Sequence, residues 1–155
     1  MGLRRKGREI VLQVLYSLDY NQDYPLYENR GDRESQLQIL NNTLEGNEIK
    51  PDSRIRDFSR DLLTTIIENL IPIDEIIINH LEHWNIDRMA VLDRNLLRLA
   101  VAEIVFRNTP PPIVINEALE IAKKYCGDQT GRLLNGVLDQ IVKNIDKERE
   151  EQNKN

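Results

Sequence analysis

Apolar residues recur along this chain at the spacing of amphipathic helices, and no segment alternates apolar and polar residues for long enough to predict a strand. The apolar stripes are interrupted at Gly46, Pro72 and Pro110–Pro112, where helices are expected to end or change direction. The pattern predicts an all-α fold of about seven helices. They are expected over Arg4–Tyr20, Arg33–Leu44, Arg54–Leu70, Ile73–Trp84, Leu92–Phe106 and the two arms of a hairpin that contains Val114–Asp139.

The predicted helices are expected to share one domain. Residues 1–146 form this single helical domain, and the polar, mixed-charge residues 147–155 form a frayed C-terminal tail. The segment Leu92–Phe106 is the most hydrophobic, with only Arg98 and Glu103 charged after Leu96. This predicts a central helix that is buried on most sides.

The hairpin has two glycines in positions that need an explanation. Gly127 follows its first arm, where a residue in the left-handed conformation often closes a helix. Asn135-Gly136 lies inside its second arm, although a glycine within a helix costs about 1 kcal/mol relative to alanine. Close helix packing or a polar role for the asparagine would explain that cost, and we favour close packing at Gly136.

The composition is typical of a folded globular protein, since 40% of the 155 residues are hydrophobic and 30% are charged. No apolar run approaches the roughly 20 residues that span a bilayer, and the charged N-terminus does not resemble a signal peptide, so no membrane contact is expected. The single cysteine, Cys126, excludes an internal disulfide and fits a reducing compartment. We therefore expect a cytoplasmic protein.

The first helix begins with a cluster of positive charge, although the net charge of the chain is −5. Cations at a helix N-terminus oppose the helix dipole by roughly some tenths of a kcal/mol. Two interpretations of Arg4, Arg5 and Arg8 stay open: a site for a polyanion, or a solvated basic end. Gln13 and Tyr16 follow on the same helix, and basic side chains near an aromatic ring are the minimal requirement for binding single-stranded RNA.

The sequence contains no arrangement typical of catalysis. His80 and His83 are three residues apart, but no further ligand of suitable spacing accompanies them, so a packed or hydrogen-bonded His80 is expected and no metal site. Cys126 follows a helix end, where the helix dipole raises the pKa of a thiol and disfavours a nucleophile. The sequence therefore predicts a binding protein without enzymatic activity, metal or cofactor.

Four blocks of the sequence resemble the NusB family of bacterial transcription antitermination factors. They are RRKGREIVLQVLY, RDLLTTII, DRNLLRLAVAEI and INEALEIAKKYCGDQTGRLLNGVLD. The resemblance extends over nearly the whole chain, except for the region from Asn21 to about Pro51. The resemblance implies two small helical bundles packed around shared helices. It implies a non-catalytic partner of NusE, a ribosomal small-subunit protein, with which it binds boxA RNA. Other Nus factors and RNA polymerase join them to suppress premature termination, notably on ribosomal RNA operons.

The resemblance also implies roles for individual residues of the first and central helices. Arg4, Arg5 and Arg8 match an arginine-rich start that contacts RNA. Tyr16 matches a tyrosine close to both RNA and the protein partner. Asp93 falls where the family has an acidic residue associated with NusE binding.

The turn of the hairpin is expected to supply the second part of the RNA site, beside the basic start of the first helix. Gln129 and Arg132 lie where NusB proteins approach RNA. Leu133 occupies a position that is often phenylalanine, and leucine cannot stack on a base as an aromatic ring does. Part of the roughly 1–3 kcal/mol that such a base contact supplies is therefore expected to be missing.

Two other functions stay open. The first is a protein-interaction scaffold with weak or no RNA binding, which Leu133 favours. The second is the NusB-like module that precedes a methyltransferase domain in some ribosomal RNA methylating enzymes. No Rossmann-type segment follows the hairpin in this sequence, so the enzyme itself is not expected.

Overall fold

The computed structural model describes residues 2–20, 32–50, 53–82 and 85–154, and these residues form seven α-helices and no strand. The helices are α1 (Leu3–Tyr20), α2 (Arg33–Gly46), α3 (Arg54–Glu68), α4 (Leu70–Ile78), α5 (Val91–Val101), α6 (Pro111–Tyr125) and α7 (Asp128–Asn153). A short 3-10 turn, Ile86–Arg88, precedes α5, and a π-helical segment, Ala102–Phe106, extends it. The predicted all-α fold is confirmed.

Proline positions explain where several helices begin. Helix α3 ends at Glu68, slightly before the predicted Leu70, and Pro72 lies in the first turn of α4. In that turn a backbone N–H has no helical partner, so the missing proton of proline costs little. Pro111 and Pro112 likewise occupy the first two positions of α6, which therefore begins before the predicted Val114.

Helix caps and ends differ in small ways from the predictions. Asp52 and Ser53, which precede α3, are both residue types that cap helices; Ser53 is the observed N-cap, and its hydroxyl accepts a hydrogen bond from the amide of Arg56 at 3.3 Å. Asp52 and Trp84 lie outside the described residues. Residues 147–155 were expected to form a frayed tail. In the structure α7 continues through Asn153, and its last two turns are exposed.

Two small bundles share the helices α1 and α5. Helix α1 packs against α2, α3 and α5, while α5 also packs against α4, α6 and α7. Leu96, Leu97, Ala100 and Val101 of α5 are fully buried, which agrees with the predicted central helix. The expected two-bundle arrangement is therefore confirmed.

Glycines have different roles in these helices. A Cβ on Gly7 of α1 would lie 2.5 Å from Cδ1 of Phe58, so this glycine allows close approach of α1 and α3. A Cβ on Gly136 would meet nothing within 4 Å, so the predicted close packing at Gly136 is wrong. Gly127 has the predicted positive φ of 115°, but its ψ of 177° is extended and not left-handed helical.

Candidate nucleic-acid interface

Arg8 is buried in an ion pair and does not face solvent. Its Nε donates to Oε2 of Glu103 at 2.7 Å and its Nη2 donates to Oε1 at 2.9 Å. Only 3% of Arg8 and 1% of Glu103 are exposed. The expectation that Arg8 contacts RNA is therefore corrected, because its charge is already matched by a carboxylate inside the protein.

Arg5 lies nearer the surface but is also paired. Its guanidinium donates two hydrogen bonds to the carboxylate of Glu117, at 2.6 and 2.9 Å. These bonds raise the pKa of Arg5 and lower the pKa of Glu117. The Arg5 side chain is 30% exposed, so it can still meet a ligand at the surface, but with a compensated charge.

Arg4 is exposed, and among the described residues no ion pair compensates its charge. Its guanidinium carbon lies 5.9 Å from the centre of the Phe58 ring, a contact typical of cation–π interactions. Gln13 is half-buried and accepts a hydrogen bond from the Asn47 amide at 3.1 Å. It therefore connects α1 to the end of α2, a contact that the sequence did not predict.

The far end of α1 exposes two tyrosines. Tyr16 is 37% exposed and Tyr20 is 64% exposed. Their ring centroids are 5.2 Å apart with an interplanar angle of 12°, so the rings are stacked. Tyr16 is thus not a packed core residue, and Tyr20 is a second aromatic surface that the sequence interpretation missed. Their spacing of one helical turn was the available signal.

Buried ion pairs fix that end of α1 against the start of α5. Asp19 accepts hydrogen bonds from Arg94 at 2.6 and 2.8 Å and from Asn95 at 2.8 Å. Arg98, which is fully buried, bridges Asp19 at 3.0 Å and Asp74 at 2.8 Å. Burial alone would raise the pKa of Asp19, but the hydrogen bonds from Arg94 and Asn95 and the charge of Arg98 lower it.

Asp93 lies in the first turn of α5 and joins it to the start of α7. Its Oδ1 accepts a hydrogen bond from the hydroxyl of Thr130 at 3.0 Å. Cys126 is half-buried nearby, and burial together with the charge of Asp93 raises its pKa to about 12. The predicted rise in this pKa is confirmed, although burial and a carboxylate are its causes. Asp93, Tyr16 and the α6–α7 turn therefore lie at the same end of the molecule.

The α6–α7 turn carries exposed polar and basic side chains. Gln129 and Arg132 are exposed, as are Lys123 and Lys124 in the last turn of α6. Lys124 lies 3.3 Å from the buried carboxylate of Glu9. Lys123 likewise lies 3.3 Å from the carboxylate of Glu120, so the charges of both lysines are compensated by carboxylates.

The α6–α7 turn was expected to lie beside the basic start of α1, but the structure places it elsewhere. Helices α1 and α6 run parallel, because Arg5 pairs with Glu117 and Glu9 contacts Lys124 and Tyr125 further along. Glu117 and Tyr125 are eight residues apart, a distance of about 12 Å along the helix. The structure therefore separates Arg4 and Arg5 from Gln129 and Arg132, and brings Asp93 to the turn.

His80 is held by two hydrogen bonds, as expected for a packed histidine. Its Nδ1 lies 2.7 Å from the carbonyl oxygen of Ile76, and its Nε2 lies 2.7 Å from the Asn144 amide nitrogen. His83 lies outside the described residues. Within the described part of the chain, no three potential metal ligands come together and no helix is long and apolar enough to span a membrane.

The fold and the site define an all-α binding module with tyrosines and cations exposed around one end of its helices. The model of the NusB family matches residues 5–143, and the chain belongs to the NusB family. The transcription antitermination protein NusB of Koribacter versatilis is 36% identical over 149 residues, which are 96% of this chain and 94% of that protein. The predicted family is confirmed.

Two solved structures agree with this assignment. T. maritima NusB superimposes with a TM-score of 0.74 and 35% identity, over 90% of each chain. A NusB chain from a crystal structure of antitermination factors NusB and NusE in complex with double-stranded RNA has a TM-score of 0.74 and 29% identity, over 91% of this chain and 96% of that one.

Proposed function

We propose that this chain is an RNA-binding transcription antitermination factor that pairs with NusE to bind boxA RNA and supports processive transcription of ribosomal RNA operons. Membership of the NusB family supports this function, and a related structure contains NusE and RNA together. The observation that carries it furthest is the exposed, stacked pair Tyr16 and Tyr20 at the end of α1 that packs on the start of α5, the same end at which α5 contacts the start of α7. Proteins bind single-stranded RNA with exposed aromatic rings, which stack on bases, and with cations, which pair with phosphates.

The proposed RNA surface is defined as Arg4, Arg5, Tyr16, Gln129 and Arg132, and it extends from the basic start of α1 to the α6–α7 turn. Arg5 and Tyr16 are eleven residues apart on α1, which puts them within about 20° of the same helix face and about 16 Å apart. A strand of RNA that follows α1 would meet both before it reaches the turn. Leu133 is half-buried against the core, which supports the expected loss of a stacking contact.

NusE is proposed to bind near Tyr16 and Asp93, at the end of the molecule where α1, α5 and α7 meet. RNA polymerase and other Nus factors complete the assembly. The role is binding without catalysis or a cofactor, and we place it in the cytoplasm, where transcription occurs in bacteria. Residues 1–146 are proposed to act as one domain.

A titration with RNA tests this function. The protein, with and without NusE, is titrated with single-stranded boxA RNA and with a scrambled RNA of the same composition over a series of salt concentrations. We expect tighter binding to boxA than to scrambled RNA, strengthened by NusE. Two exposed cations on phosphates, Arg4 and Arg132, predict a salt slope of about −1.4, at about −0.7 for each phosphate neutralised. Equal affinity for the two RNAs, with no salt dependence, would overturn the proposal.

A protein scaffold with weak or no RNA binding is the second candidate. The pairing of Arg5 and Arg8 with carboxylates favours it, because two of the expected RNA-binding charges are compensated inside the protein. Binding of NusE without any affinity for boxA RNA in the same titration would identify this function.

A further inference from the structure

A cleft between the end of α4 and the middle of α7 contains a glycine without a packing role. The cleft has a volume of about 520 Å³, within the range of ligand sites. Gly136 lines it on α7, is exposed, and would place a Cβ within 4 Å of nothing. A helical glycine costs about 1 kcal/mol against alanine, and packing does not explain it here. A ligand that lies against the backbone of α7 at Gly136 would explain the glycine.

Two apolar side chains lie beside Gly136 in the cleft, although its lining as a whole is more polar than apolar. Leu133 and Val137 line it beside Gly136, and Val137 is only 7% exposed. Because Gly136 has no side chain, a planar group can lie directly against the backbone of α7. Such a surface fits the face of an aromatic ring better than it fits a long side chain.

Amide groups line the walls. Asn79, Gln140 and Asn144 contribute three amide side chains to the cleft. The carbonyl oxygen of Ile76 can only accept, so Nδ1 of His80 carries the proton, and its Nε2 accepts from the Asn144 amide nitrogen at 2.7 Å. This orients Asn144 and leaves its oxygen as an acceptor. Paired amide donors and acceptors match the edge of a nucleobase.

The charges of the cleft favour a base over a phosphate or an anionic cofactor. Arg132 is the cation on its lining, and the carboxylate of Glu82 stands among the same residues. A site built for phosphate would gather several cations without an acidic neighbour. One cation fits a single phosphate of the strand, while the glutamate accepts hydrogen bonds from a base amine or imino group.

We propose that this cleft receives one unstacked base of the bound RNA, with Gly136 as its floor, the amides at its edge and Arg132 on the adjoining phosphate. This subsite rests on the proposed RNA-binding function and deepens it. Leu133 lines the same cleft, so the base would lie next to the position where the ring of a phenylalanine is absent.

The test fills the floor of the cleft and measures binding and folding separately. Gly136→Leu is compared with the wild-type chain, using boxA RNA in which 2-aminopurine replaces one base at a time. Gln152→Leu is the matched control, since it adds the same side chain at an exposed position about four turns further along α7. We expect Gly136→Leu to weaken RNA binding about five- to a hundredfold, the effect of losing one base contact.

Two further readouts separate the subsite from a structural effect. The thermal midpoint of Gly136→Leu should equal or exceed that of the wild type, because leucine favours helix more than glycine does. One 2-aminopurine position should lose its fluorescence change in the variant and keep it in Gln152→Leu. Gln140→Leu, which leaves the floor open, should reduce discrimination among bases at that position.

The outcomes are distinct. If the wild type binds boxA RNA and Gly136→Leu binds it within twofold as well, the subsite is wrong while the proposed function stands. If Gly136→Leu keeps its RNA affinity but loses NusE, the cleft is a protein site and the inference is overturned. If the wild type shows no affinity for boxA RNA, the proposed function fails, and the subsite fails with it.

Discussion

The guanidinium of Arg8 and the carboxylate of Glu103 face each other across the interface of α1 and α5, joined by two hydrogen bonds of 2.7 and 2.9 Å. Glu103 lies in the π-helical segment that extends α5. The ion pair neutralises the positive charge of Arg8, which is therefore not available to an RNA phosphate. Arg8 is therefore proposed to act in folding and not in binding.

Arg8→Ala is expected to lower the free energy of unfolding by about 3–5 kcal/mol, because it leaves the buried carboxylate of Glu103 without a partner. Urea unfolding followed by circular dichroism measures this loss. The double variant Arg8→Met/Glu103→Leu should recover most of it, since apolar side chains of similar volume often replace a buried ion pair without cost. A stable Arg8→Ala protein that loses only its RNA affinity would contradict this assignment.

Arg4→Ala is expected to weaken RNA binding without changing stability by more than about 0.5 kcal/mol, because Arg4 is exposed. Loss of one phosphate contact should flatten the salt slope by about 0.7. Fluorescence titrations at several salt concentrations measure the slope. Arg60→Ala, which removes an exposed arginine of α3 that pairs with Asp57, is the charge-matched control and should leave the slope unchanged. Equal slopes for wild type and Arg4→Ala would exclude Arg4 from the RNA surface.

The helices were predictable because their signals are local. Apolar periodicity fixed α1, α3 and α5 within a few residues, and Ser53 was recognisable as a cap. The burial of Arg8 in an ion pair was not predictable in this way, since its partner Glu103 lies 95 residues away in the sequence.

The candidate site was predicted only in part for the same reason. Tyr16 and Arg132 are exposed as an RNA contact requires, because the apolar stripes of their helices already place them outside the core. The separation of Arg5 from the α6–α7 turn depends on the parallel packing of α1 and α6, which is a tertiary relationship. Gly7 and Gly136 show the limit most clearly: each lies inside a helix, and only the packing distinguishes a close contact from an open cleft.

Gly7→Ala should destabilise the protein by about 1–3 kcal/mol, although alanine favours helix. The new methyl group would lie 2.5 Å from Cδ1 of Phe58, which must move. Gly136→Ala is the matched control, because its methyl group meets nothing within 4 Å, and it should stabilise the protein by up to about 1 kcal/mol. Chemical denaturation compares the two. Stabilisation by both substitutions would show that α1 and α3 are less closely packed than described.

Stability should fall in acid partly through Asp19. The pKa of Asp19 is lowered in the folded protein, so the unfolded chain binds the proton more tightly and protonation favours unfolding. The contribution of Asp19 is present above its unfolded pKa of about 3.9 and is lost as the pH falls through the lower folded value. Unfolding free energies between about pH 7 and pH 2 measure this loss.

Asp19→Asn provides the comparison for that pH series. It should be less stable at pH 7 by about 3–5 kcal/mol, since Arg94 and Arg98 lose a buried carboxylate. It should also lose less stability on acidification, because the titrating group is gone. Parallel pH profiles for the two proteins would show that Asp19 does not carry the acid dependence.

Cys126 should react slowly with thiol reagents in the folded protein. Burial and the nearby Asp93 raise its pKa to about 12, so the thiolate fraction at pH 8 is about one in ten thousand. Asp93→Asn removes the negative charge and should lower this pKa, which increases the reaction rate at pH 8 and shifts its pH profile to lower pH. Thr130→Val keeps that charge while removing the hydroxyl that donates to Asp93, and is the control for a change in local packing. The rate of reaction with a disulfide reagent, measured from pH 7 to pH 10, gives the profile. An unchanged profile in Asp93→Asn would mean that burial alone raises the pKa, and that the carboxylate of Asp93 does not act on the thiol.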